Sequence, residues 1–489
     1  MIGGGLAGLS SALALAEAGC RVRLYEMRPH LGGRAASYSL PDGTEVDNCQ
    51  HVTLGCCTNL EDFYRRSGVL DRIRFFDRIV LFDREGRRSE LHAAPLPPPL
   101  HLLPSLLHLH CLPVRQRWDV LRALWAIVRA DGQPGVDAQA TMLDWLRRQR
   151  QPELAVERFW KLLLVSALNE NLDRMAAHFG FQVFWQALLA HRQGYRVGVP
   201  TVPLGQLYQG CRQAIEARGG AVYTRARVRR LRFDGSSVLG VEFEDGGSEE
   251  ADAFVVAVPP RALAALIPET LRASIAGLEE AARLPTAPIT GVHLWFDRPV
   301  FAELFAGLIG FTSQWVFNKT ALLGAEGDGQ YLQVVISACY DLVPRSRQEI
   351  VDLCVTELGE LFPEVRRARM RRAVVVKEVE ATVSPLPGAR TLRPGRCDSI
   401  GNLFFAGDWT QTGWPATMES AVRSGYLAAE AVLAAGGRRV RFLQPDLSAE
   451  GLSRLWAGHS GTGNGESRSR ATCVQPSRDP ATGCSSGAG

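Results

Sequence analysis

Four residues near the start of the chain have the types and spacing that bind a dinucleotide. Gly3, Gly5 and Gly8 fit the pattern G-x-G-x-x-G, and Glu26 ends the alternating stretch that follows. Glycines in this pattern permit a tight turn and let a pyrophosphate approach the backbone and the next helix N-terminus. An acid at this distance can accept hydrogen bonds from a ribose 2′-OH. An ordinary glycine-rich turn is the alternative, and it leaves the ordered helix, strand and acid unexplained.

A second glycine pair follows the acid and favours one cofactor. Gly32, Gly33 and Arg34 come shortly after Glu26. Two glycines let the backbone pass close to a ligand, and an arginine can pair with a phosphate. This order of motifs resembles the FAD-binding amino-oxidase and carotenoid-desaturase superfamily. We therefore expect FAD rather than NAD.

The other half of such a site lies near the opposite end of the chain. An apolar stretch ends in Gly407 and Asp408, and a helical pattern begins after Thr417 with Met418. A carboxylate at a strand end can bind a ribityl hydroxyl. A helix N-terminus suits the N1/O2 edge of a flavin, which becomes anionic on reduction. Both ends of the chain thus predict FAD.

A third group of polar residues has the types needed for acid–base chemistry. Asp47 and His51 enclose an asparagine, a cysteine and a glutamine. Residues of these types also dominate turns, where their side chains cap the backbone. Spacing alone does not decide between a polar turn and a catalytic cluster.

These residues require a nucleotide-binding fold to bring them together. An apolar helical stretch, Leu9–Ala18, precedes an alternating strand, Arg21–Tyr25, which predicts an α/β fold, α+β overall. The FAD-binding domain is expected to be Rossmann-like and discontinuous, with an inserted substrate-binding domain of helices and a mixed sheet. The predicted limits are 1–80, 197–288 and 397–436 for the FAD-binding domain, 81–196 and 289–396 for the substrate-binding domain, and 458–489 for a disordered tail.

The first strand of the predicted fold is short. Only Met1 and Ile2 precede Gly3, whereas strands usually run to about five residues. We expect that Met1 lies inside the strand and that the true start of the protein lies upstream of it. We also expect that a chain beginning at Met1 binds FAD poorly.

Composition restricts the compartment and the partners. The chain has 489 residues, 46% of them hydrophobic, and a net charge of +4, which suits a large core and two domains. So mild a charge argues against a nucleic-acid partner. The 11 cysteines include the adjacent pair Cys56 and Cys57 and show no metal-ligand spacing. We expect reduced thiols, no metal site and a cytoplasmic location.

One leucine-rich segment, Leu91–Leu112, carries five prolines and four histidines. Prolines break any long helix, and the histidine spacing fixes no metal geometry. We expect the histidines to face solvent or lipid headgroups. The segment is then either a peripheral contact with the inner face of the cytoplasmic membrane or the rim of a lipid tunnel.

Two longer motifs resemble one family within the superfamily. Asp47–Cys56 reads D-N-C-Q-H-V-T-L-G-C, and Ala406–Gly425 reads A-G-D-W-T-Q-T-G-W-P-A-T-M-E-S-A-V-R-S-G. Both are similar to the squalene-associated FAD-dependent desaturase family, which includes hydroxysqualene dehydroxylases of hopanoid biosynthesis. The resemblance runs from Ile2 to about Leu433. Cys49 replaces the glycine expected in the first motif, and a positive φ there would strain a cysteine.

The resemblance implies a reaction and its residues. The reaction is reductive removal of the hydroxyl of hydroxysqualene to give squalene, a water-insoluble isoprenoid, with squalene-pathway enzymes as partners. Asp47 and His51 are the titratable side chains of the family motif, so they are the implied general acid and its helper. His51 is the better acid near neutral pH, with Asp47 orienting its ring. The backbone of Val228 is implied to meet the adenine.

Three other functions stay open at this point. A carotenoid-type or phytoene-type desaturase would use oxidised flavin on an unactivated chain. An amine oxidase would use an aromatic cage and a lysine near the flavin, for which Lys319 is the nearest candidate. A truncated homologue without a complete first strand would be inactive.

Overall fold

The computed structural model describes residues 1–133, 137–235, 237–273, 275–395 and 400–457. The predicted disordered tail, 458–489, lies outside the described residues. A parallel sheet and a larger mixed sheet organise the fold, and helices cover both. This mixed architecture confirms the predicted fold class.

The strands, numbered in chain order, are β1 Arg23–Tyr25, β2 Ser37–Ser39, β3 Glu45–Asp47, β4 Thr53–Leu54, β5 Ile73–Phe76, β6 Arg78–Phe82, β7 Arg88–His92, β8 Val197–Pro200, β9 Ala221–Tyr223, β10 Val228–Phe233, β11 Val238–Phe243, β12 Ser248–Glu250, β13 Phe254–Val256, β14 Thr286–Phe296, β15 Phe305–Leu308, β16 Trp315–Asn318, β17 Gln330–Ser337, β18 Met370–Val383 and β19 Leu403–Phe405.

The α-helices are α1 Leu6–Glu17, α2 Thr58–Arg66, α3 Leu103–Leu107, α4 Val114–Arg129, α5 Met142–Arg148, α6 Glu153–Ala155, α7 Lys161–Leu168, α8 Ala177–Val183, α9 Leu204–Glu216, α10 Pro260–Leu266, α11 Glu269–Arg272, α12 Leu278–Ala282, α13 Lys319–Leu322, α14 Arg347–Leu361, α15 Pro363–Arg367 and α16 Met418–Ala435. Two π-helical turns continue α6 and α8, Val156–Trp160 and Phe184–Leu189. Short 3-10 turns lie at Leu70–Arg72, Leu100–Leu102, Tyr340–Leu342 and Gly451–Leu455.

The parallel sheet has the start of the chain at its centre. Ile2 forms parallel bridges to Tyr25 on one side and to Val256 on the other. β1 pairs in parallel with β9, and β13 pairs in parallel with β19. The resulting order, β9, β1, Ile2, β13 and β19, is the Rossmann-like arrangement expected from the glycine motif.

Close packing of two helices ties the ends of the chain together. α1 is apolar and almost entirely buried, and it packs against α16. A Cβ at Gly425 would collide with the side chain of Ser10 and the carbonyl of Ala7. The helices therefore approach closely because this position has no side chain.

The mixed sheet forms the second organising layer. Its order is β18, β14, β17, β16, β15, β6 and β7, and only β15 and β6 pair in parallel within it. α14 covers one face, where its apolar residues join those of β14 and β17 in a core. The predicted limits at residues 80 and 288 fall inside β6 and β14, and both of these strands belong to the mixed sheet.

The leucine-rich segment belongs to the helical core. Leu102 and Leu106 are 2% and 7% exposed, and both pack in the cluster built by α4 to α8. His101 is fully buried, whereas the other three histidines of the segment are exposed. Leu102 and Leu106 therefore fill space beneath α4, and the predicted lipid contact is wrong for these two leucines. A membrane contact of the rest of Leu91–Leu112 stays a prediction. In the part of the chain that the structure describes, no helix is both long and apolar enough to cross a membrane.

Eight cysteines lie in the described ranges, and all are free thiols. Cys49 is buried and does not adopt a positive φ. The expected backbone strain at this position is therefore absent.

Candidate functional site

A cavity of about 700 Å³ runs between the parallel sheet and the mixed sheet. One part, which we call the glycine end, is lined by the turn before α1, the segment after β1 and the start of α16. The other part, the sheet end, is lined by α7, β14, β17 and β18 together with the segment after β3. The predicted cofactor residues and the predicted catalytic segment thus meet at one cavity.

The glycine turn holds the N-terminus of α1 open toward the cavity. Gly3 has φ +102°, and a Cβ there would lie 2.5 Å from the carbonyl oxygen of Ala257. A Cβ at Gly8 would collide with the carbonyl of Gly3. Gly5 precedes α1 without a side-chain cap, so the first N–H groups of the helix are free of intrahelical and side-chain acceptors. These groups fit a pyrophosphate.

Glu26 lies at the end of β1 with its carboxylate fixed from both sides. Its Oε2 accepts a hydrogen bond of 2.7 Å from the N–H of Gly4, and its Oε1 accepts one of 2.8 Å from the N–H of Arg28. Glu26 is buried and lines the cavity. Each carboxylate oxygen retains a lone pair, so the predicted contact with a ribose hydroxyl is sterically and chemically available. Val228 lines the same end at the start of β10, as the implied adenine contact requires.

The second glycine pair lies against the first. Gly5 and Gly32 form a β-bridge, and a Cβ at Gly33 would lie 3.2 Å from the Cα of Gly5. The two glycine segments therefore form one cradle.

Arg34 and Asp408 form an ion pair across the cavity wall. The sequence predicts separate contacts for them, a phosphate for the arginine and a ribityl hydroxyl for the aspartate. The structure brings the two side chains together although 374 residues separate them. Asp408 is buried and Arg34 is partly exposed. The pair fixes the carboxylate at the cofactor edge of the cavity.

The C-terminal half-site is held by a tryptophan. Gly407 has φ +152°, and a Cβ there would collide with the indole of Trp409. That indole donates a hydrogen bond of 3.0 Å to the carbonyl of Val258. Thr417 caps α16 by accepting a bond from Ser420, and Thr417 and Met418 line the cavity. The start of this helix therefore faces the cavity, as predicted for a flavin site.

Asp47 does not lie on the cavity wall. Its Oδ1 accepts hydrogen bonds from the hydroxyl of Ser37 at 2.8 Å and the N–H of Leu204 at 2.9 Å. Its Oδ2 lies 3.3 Å from the Nζ of Lys319, which also donates to Gln50 at 2.8 Å. Both charged side chains are buried. Asp47 therefore anchors the start of α9 and neutralises a buried lysine.

His51 lines the cavity, but its partner is Asn48. The distance from His51 Nε2 to Asn48 Oδ1 is 2.9 Å. The orientation of the Asn48 amide is fixed by its other hydrogen bonds. Its Oδ1 also accepts from the N–H of Ala36, and its Nδ2 donates to the backbone carbonyl of Arg34 and to the carboxylate of Glu378. Nε2 therefore carries the proton, and Nδ1 is left as an acceptor.

The imidazole of His51 is neutral near pH 7. Burial lowers the pKa of His51 to about 4; the charge of Asp47 opposes this shift and the charge of Lys319 supports it. The sequence predicts that Asp47 orients the ring and favours its charged form. In the structure desolvation outweighs the carboxylate, and the orienting contact comes from Asn48.

Sequence reasoning missed two residues of the sheet end. Glu378 lines the cavity, and its Oε1 accepts hydrogen bonds of 3.1 Å from both Tyr38 and Asn48. Gly291 makes room for the predicted catalytic segment, since a Cβ there would lie 2.6 Å from the carbonyl oxygen of Asn48. Alternating polarity in β18 gives no sign of which acid faces inward, because the strand carries two acids, Glu378 and Glu380. The register of β18 against β14 decides it.

The remaining wall of the sheet end combines apolar and polar side chains. Val52, Leu168, Ile289 and Val335 line it. Polar side chains also line it, namely Gln50, Ser166, Asn169, Ser337 and Thr382. The amide of Asn169 donates to the backbone carbonyl of Ala287 and to the hydroxyl of Thr382. No group of histidine, cysteine, aspartate or glutamate in the described ranges is arranged to hold a metal ion.

The cradle, the two helix N-termini and the fixed carboxylates fit a flavin dinucleotide. Residues 6–433 match the family model described as flavin containing amine oxidoreductase. The chain belongs to this family, and the protein is a flavin-dependent oxidoreductase.

The chain is also similar to individual known proteins. A 15-cis-phytoene desaturase of Solanum lycopersicum is 27% identical over 460 residues, covering 88% of this chain and 76% of the relative. A hydroxysqualene dehydroxylase of Zymomonas mobilis is 28% identical over 451 residues, covering 88% of this chain and 98% of the relative. Among solved structures, an oxidoreductase from Methanosarcina mazei superposes with a TM-score of 0.69 at 17% identity, covering 87% of this chain and 97% of that one. A putrescine oxidase bound to putrescine has a TM-score of 0.65 at 16% identity, covering 88% of this chain and 98% of that one. These structural likenesses show a shared fold.

Proposed function

We propose that the protein is an FAD-dependent enzyme that removes the hydroxyl of hydroxysqualene reductively and gives squalene. The observation that carries the proposal is the sheet end of the cavity. There, His51 and Glu378 line the cavity together with the apolar side chains of Val52, Leu168, Ile289 and Val335, beside the cofactor cradle. The D-N-C-Q-H motif and the similarity to a hydroxysqualene dehydroxylase over nearly its whole length support the same substrate class.

The reaction breaks a C–O bond and forms a C–H bond at the same carbon. Protonation of an allylic hydroxyl lets it leave as water with the electron pair of the C–O bond. Bound FAD, in its reduced form, supplies the hydride. The apolar side chains of the sheet end limit the access of other water, which would recapture the allylic cation. The protein must also deliver one proton to the hydroxyl.

Glu378 is the proposed general acid. Its Oε1 accepts the hydrogen bonds from Tyr38 and Asn48, which leaves Oε2 to face the substrate hydroxyl and transfer the proton. After transfer, the carboxylate is negative beside the developing cation and stabilises it. His51 serves as a positioning residue, because its Nδ1 can accept a hydrogen bond from the substrate hydroxyl.

A phytoene-type desaturase is the second candidate. Its support is the similarity to 15-cis-phytoene desaturases of plants and of Synechococcus elongatus, at 26–27% identity. These identities are too close to that of the hydroxysqualene dehydroxylase to separate the two activities. A desaturase would need the same apolar cavity but no proton for a leaving hydroxyl.

An amine oxidase receives less support from the site. Lys319 is buried against Asp47 and Gln50. No lysine is found among the described residues that line the cavity. Lys319, the lysine predicted to lie near the flavin of an amine oxidase, thus stabilises the fold beneath the cavity.

Anaerobic incubation of the flavin-loaded, prereduced protein with hydroxysqualene tests the proposal. Lipid analysis should show squalene in an amount equal to the flavin that becomes oxidised. The oxidised protein is incubated in parallel with phytoene and a quinone acceptor. A desaturated carotenoid from the second reaction, without squalene from the first, would assign the second candidate instead.

A further inference from the structure

One face of α4 exposes tryptophan and arginine side chains together. Val114, Trp118 and Trp125 are spaced by four and seven residues, so they lie on one side of the helix. Trp118 is 60% exposed and Val114 is 63% exposed. The opposite side of α4, including Val120, Leu124 and other apolar residues, is buried in the helical core. The exposed side is therefore a second apolar surface of α4, separate from the side that packs in the core.

Two neighbouring segments extend this surface. Trp125 packs edge-to-face against Trp456 with ring centroids 4.9 Å apart. The N–H of Ser453 donates to the carbonyl of Pro98, which places the turn at 451–455 beside the proline-rich segment. Six of the twelve large apolar side chains exposed in the described part of the chain lie on these three segments, namely Leu96, Val114, Trp118, Trp125, Leu452 and Leu455. We call these six residues the tryptophan face.

Positive charge accompanies the tryptophan face. α4 carries four arginines and a single acid, Asp119. Arg115, Arg122 and Arg129 are exposed, and Arg454 is exposed on the adjoining turn. Asp119 lies 3.5 Å from Arg122 and offsets that charge. Arg115, Arg122 and Arg129 therefore lie on the same side of the helix as the two tryptophans, one before, one between and one after them.

We propose that the tryptophan face docks on the surface of an anionic lipid bilayer. Indole rings and arginine side chains both reside in the headgroup layer, where one end of each is apolar and the other is hydrated. α4 spans about 24 Å along its axis, and its buried side fixes it to the body of the protein. The helix therefore lies flat on the bilayer as a preformed interfacial helix. This proposal is independent of the substrate, because it rests on exposure and charge alone.

Co-sedimentation of the full-length, flavin-loaded protein with vesicles tests this surface. The vesicles contain either equal parts of phosphatidylcholine and phosphatidylglycerol or phosphatidylcholine alone. The protein should bind the first and release as ionic strength rises, because salt screens the attraction of arginine for anionic lipid. The variant Arg115→Gln/Arg129→Gln should bind roughly five-fold more weakly for each arginine removed. Trp118→Gln should weaken binding to a similar extent.

Matched controls separate this surface from any exposed side chain. Arg283→Gln/Arg367→Gln removes two exposed arginines elsewhere, and Leu239→Gln removes an exposed leucine of the β10–β11 hairpin. Both controls should bind like the parent, and all variants should keep the flavin absorbance and melting temperature of the parent. Equal binding by the Trp118 variant, the double arginine variant and the parent would overturn the proposal. A second result would also overturn it: the parent sediments as a dimer in sedimentation velocity and these variants sediment as monomers. The tryptophan face would then be the contact with a second copy of the chain.

Discussion

At the scale of single residues, the carboxylates of the cradle account for cofactor retention. Asp408 is buried and paired with Arg34 at the edge of the cavity. Asp408→Ala should lower flavin affinity by a factor of ten or more, because a hydrogen bond to a charged group is worth about 1.5–3 kcal/mol. Glu26→Ala should act similarly at the other end of the cradle. Flavin content is measured by absorbance after gel filtration at equal protein concentration.

Asp42→Ala is the matched control for this measurement. Asp42 also pairs with an arginine, Arg372, but on the surface. It should retain its flavin. If the Asp408 and Glu26 variants do so as well, the cradle does not hold the cofactor.

Three titratable residues near the sheet end should respond differently to substitution. Glu378→Gln should slow flavin oxidation by substrate by about 10²–10⁴-fold, the usual contribution of a positioned general acid, while flavin stays bound. His51→Gln should give a smaller loss, since a neutral imidazole only positions the hydroxyl. Asp47→Asn should lower stability and flavin content, because it leaves Lys319 buried without its counter-charge.

Single-turnover stopped-flow of the prereduced variants measures the chemical step, and urea unfolding measures stability. A rate for Glu378→Gln within a few-fold of the parent would remove Glu378 from the proton transfer. A stable, flavin-loaded Asp47→Asn with a slow chemical step would restore the role that the sequence predicts for Asp47.

At the scale of elements, the leucine-rich segment before α4 contributes to the fold. Leu102→Ser/Leu106→Ser should destabilise the protein by several kcal/mol, because each change removes a buried side chain and leaves an unfilled space in the core. Leu96→Ser changes an exposed leucine of the same segment and should leave stability within about 0.5 kcal/mol of the parent. Thermal and urea unfolding measure the stability of both variants and of the parent. Equal stability of both variants would show that the segment is not core.

The elements that the sequence predicts well are those specified by local patterns. The glycine turn, α1 and β1 follow one another within a few residues, so spacing along the chain determines their geometry. The same holds for β19, the Gly-Asp pair and α16.

The residues that the sequence predicts poorly depend on distant contacts. The polar segment around Asp47 shows titratable side chains, but their directions are set by Lys319, which is 272 residues away. Glu378 faces the cavity because β18 pairs with β14 in one register. A leucine-rich segment looks the same in sequence whether it faces lipid or a helix. Only the position of α4 distinguishes the two.

At the scale of the whole molecule, buried imidazoles make the fold sensitive to acid. Burial lowers the pKa of His51, His101, His178 and His293 to about 4 in each case. The unfolded chain binds protons at these histidines below about pH 6.5, whereas the folded chain resists protonation until about pH 4. Stability is therefore fully present above pH 6.5 and falls as the pH drops through this window.

Urea midpoints at pH 7, 6 and 5 measure this effect. Each buried histidine adds a slope that approaches about 1.4 kcal/mol per pH unit. His101→Phe should flatten the slope, since His101 is fully buried and its ring nitrogens have no partner among the described residues. His108→Phe changes an exposed histidine and should leave the slope unchanged. A parent protein whose stability is constant from pH 7 to 5 would contradict the predicted linkage.

The pairing of Arg34 with Asp408 has a consequence for biosynthesis. The ribosome must add 374 residues between these two partners, which takes about 20–75 s at usual elongation rates. Until β19 and the start of α16 emerge, β13 is an unpaired sheet edge and the cradle has one wall. From the synthesis of β13, which ends at Val256, until that of β19, which begins at Leu403, the nascent chain thus carries an exposed strand of the kind that invites aggregation. FAD can bind only after the ribosome has passed Thr417. Until then, chaperones rather than the bound cofactor must protect the open sheet edge from aggregation.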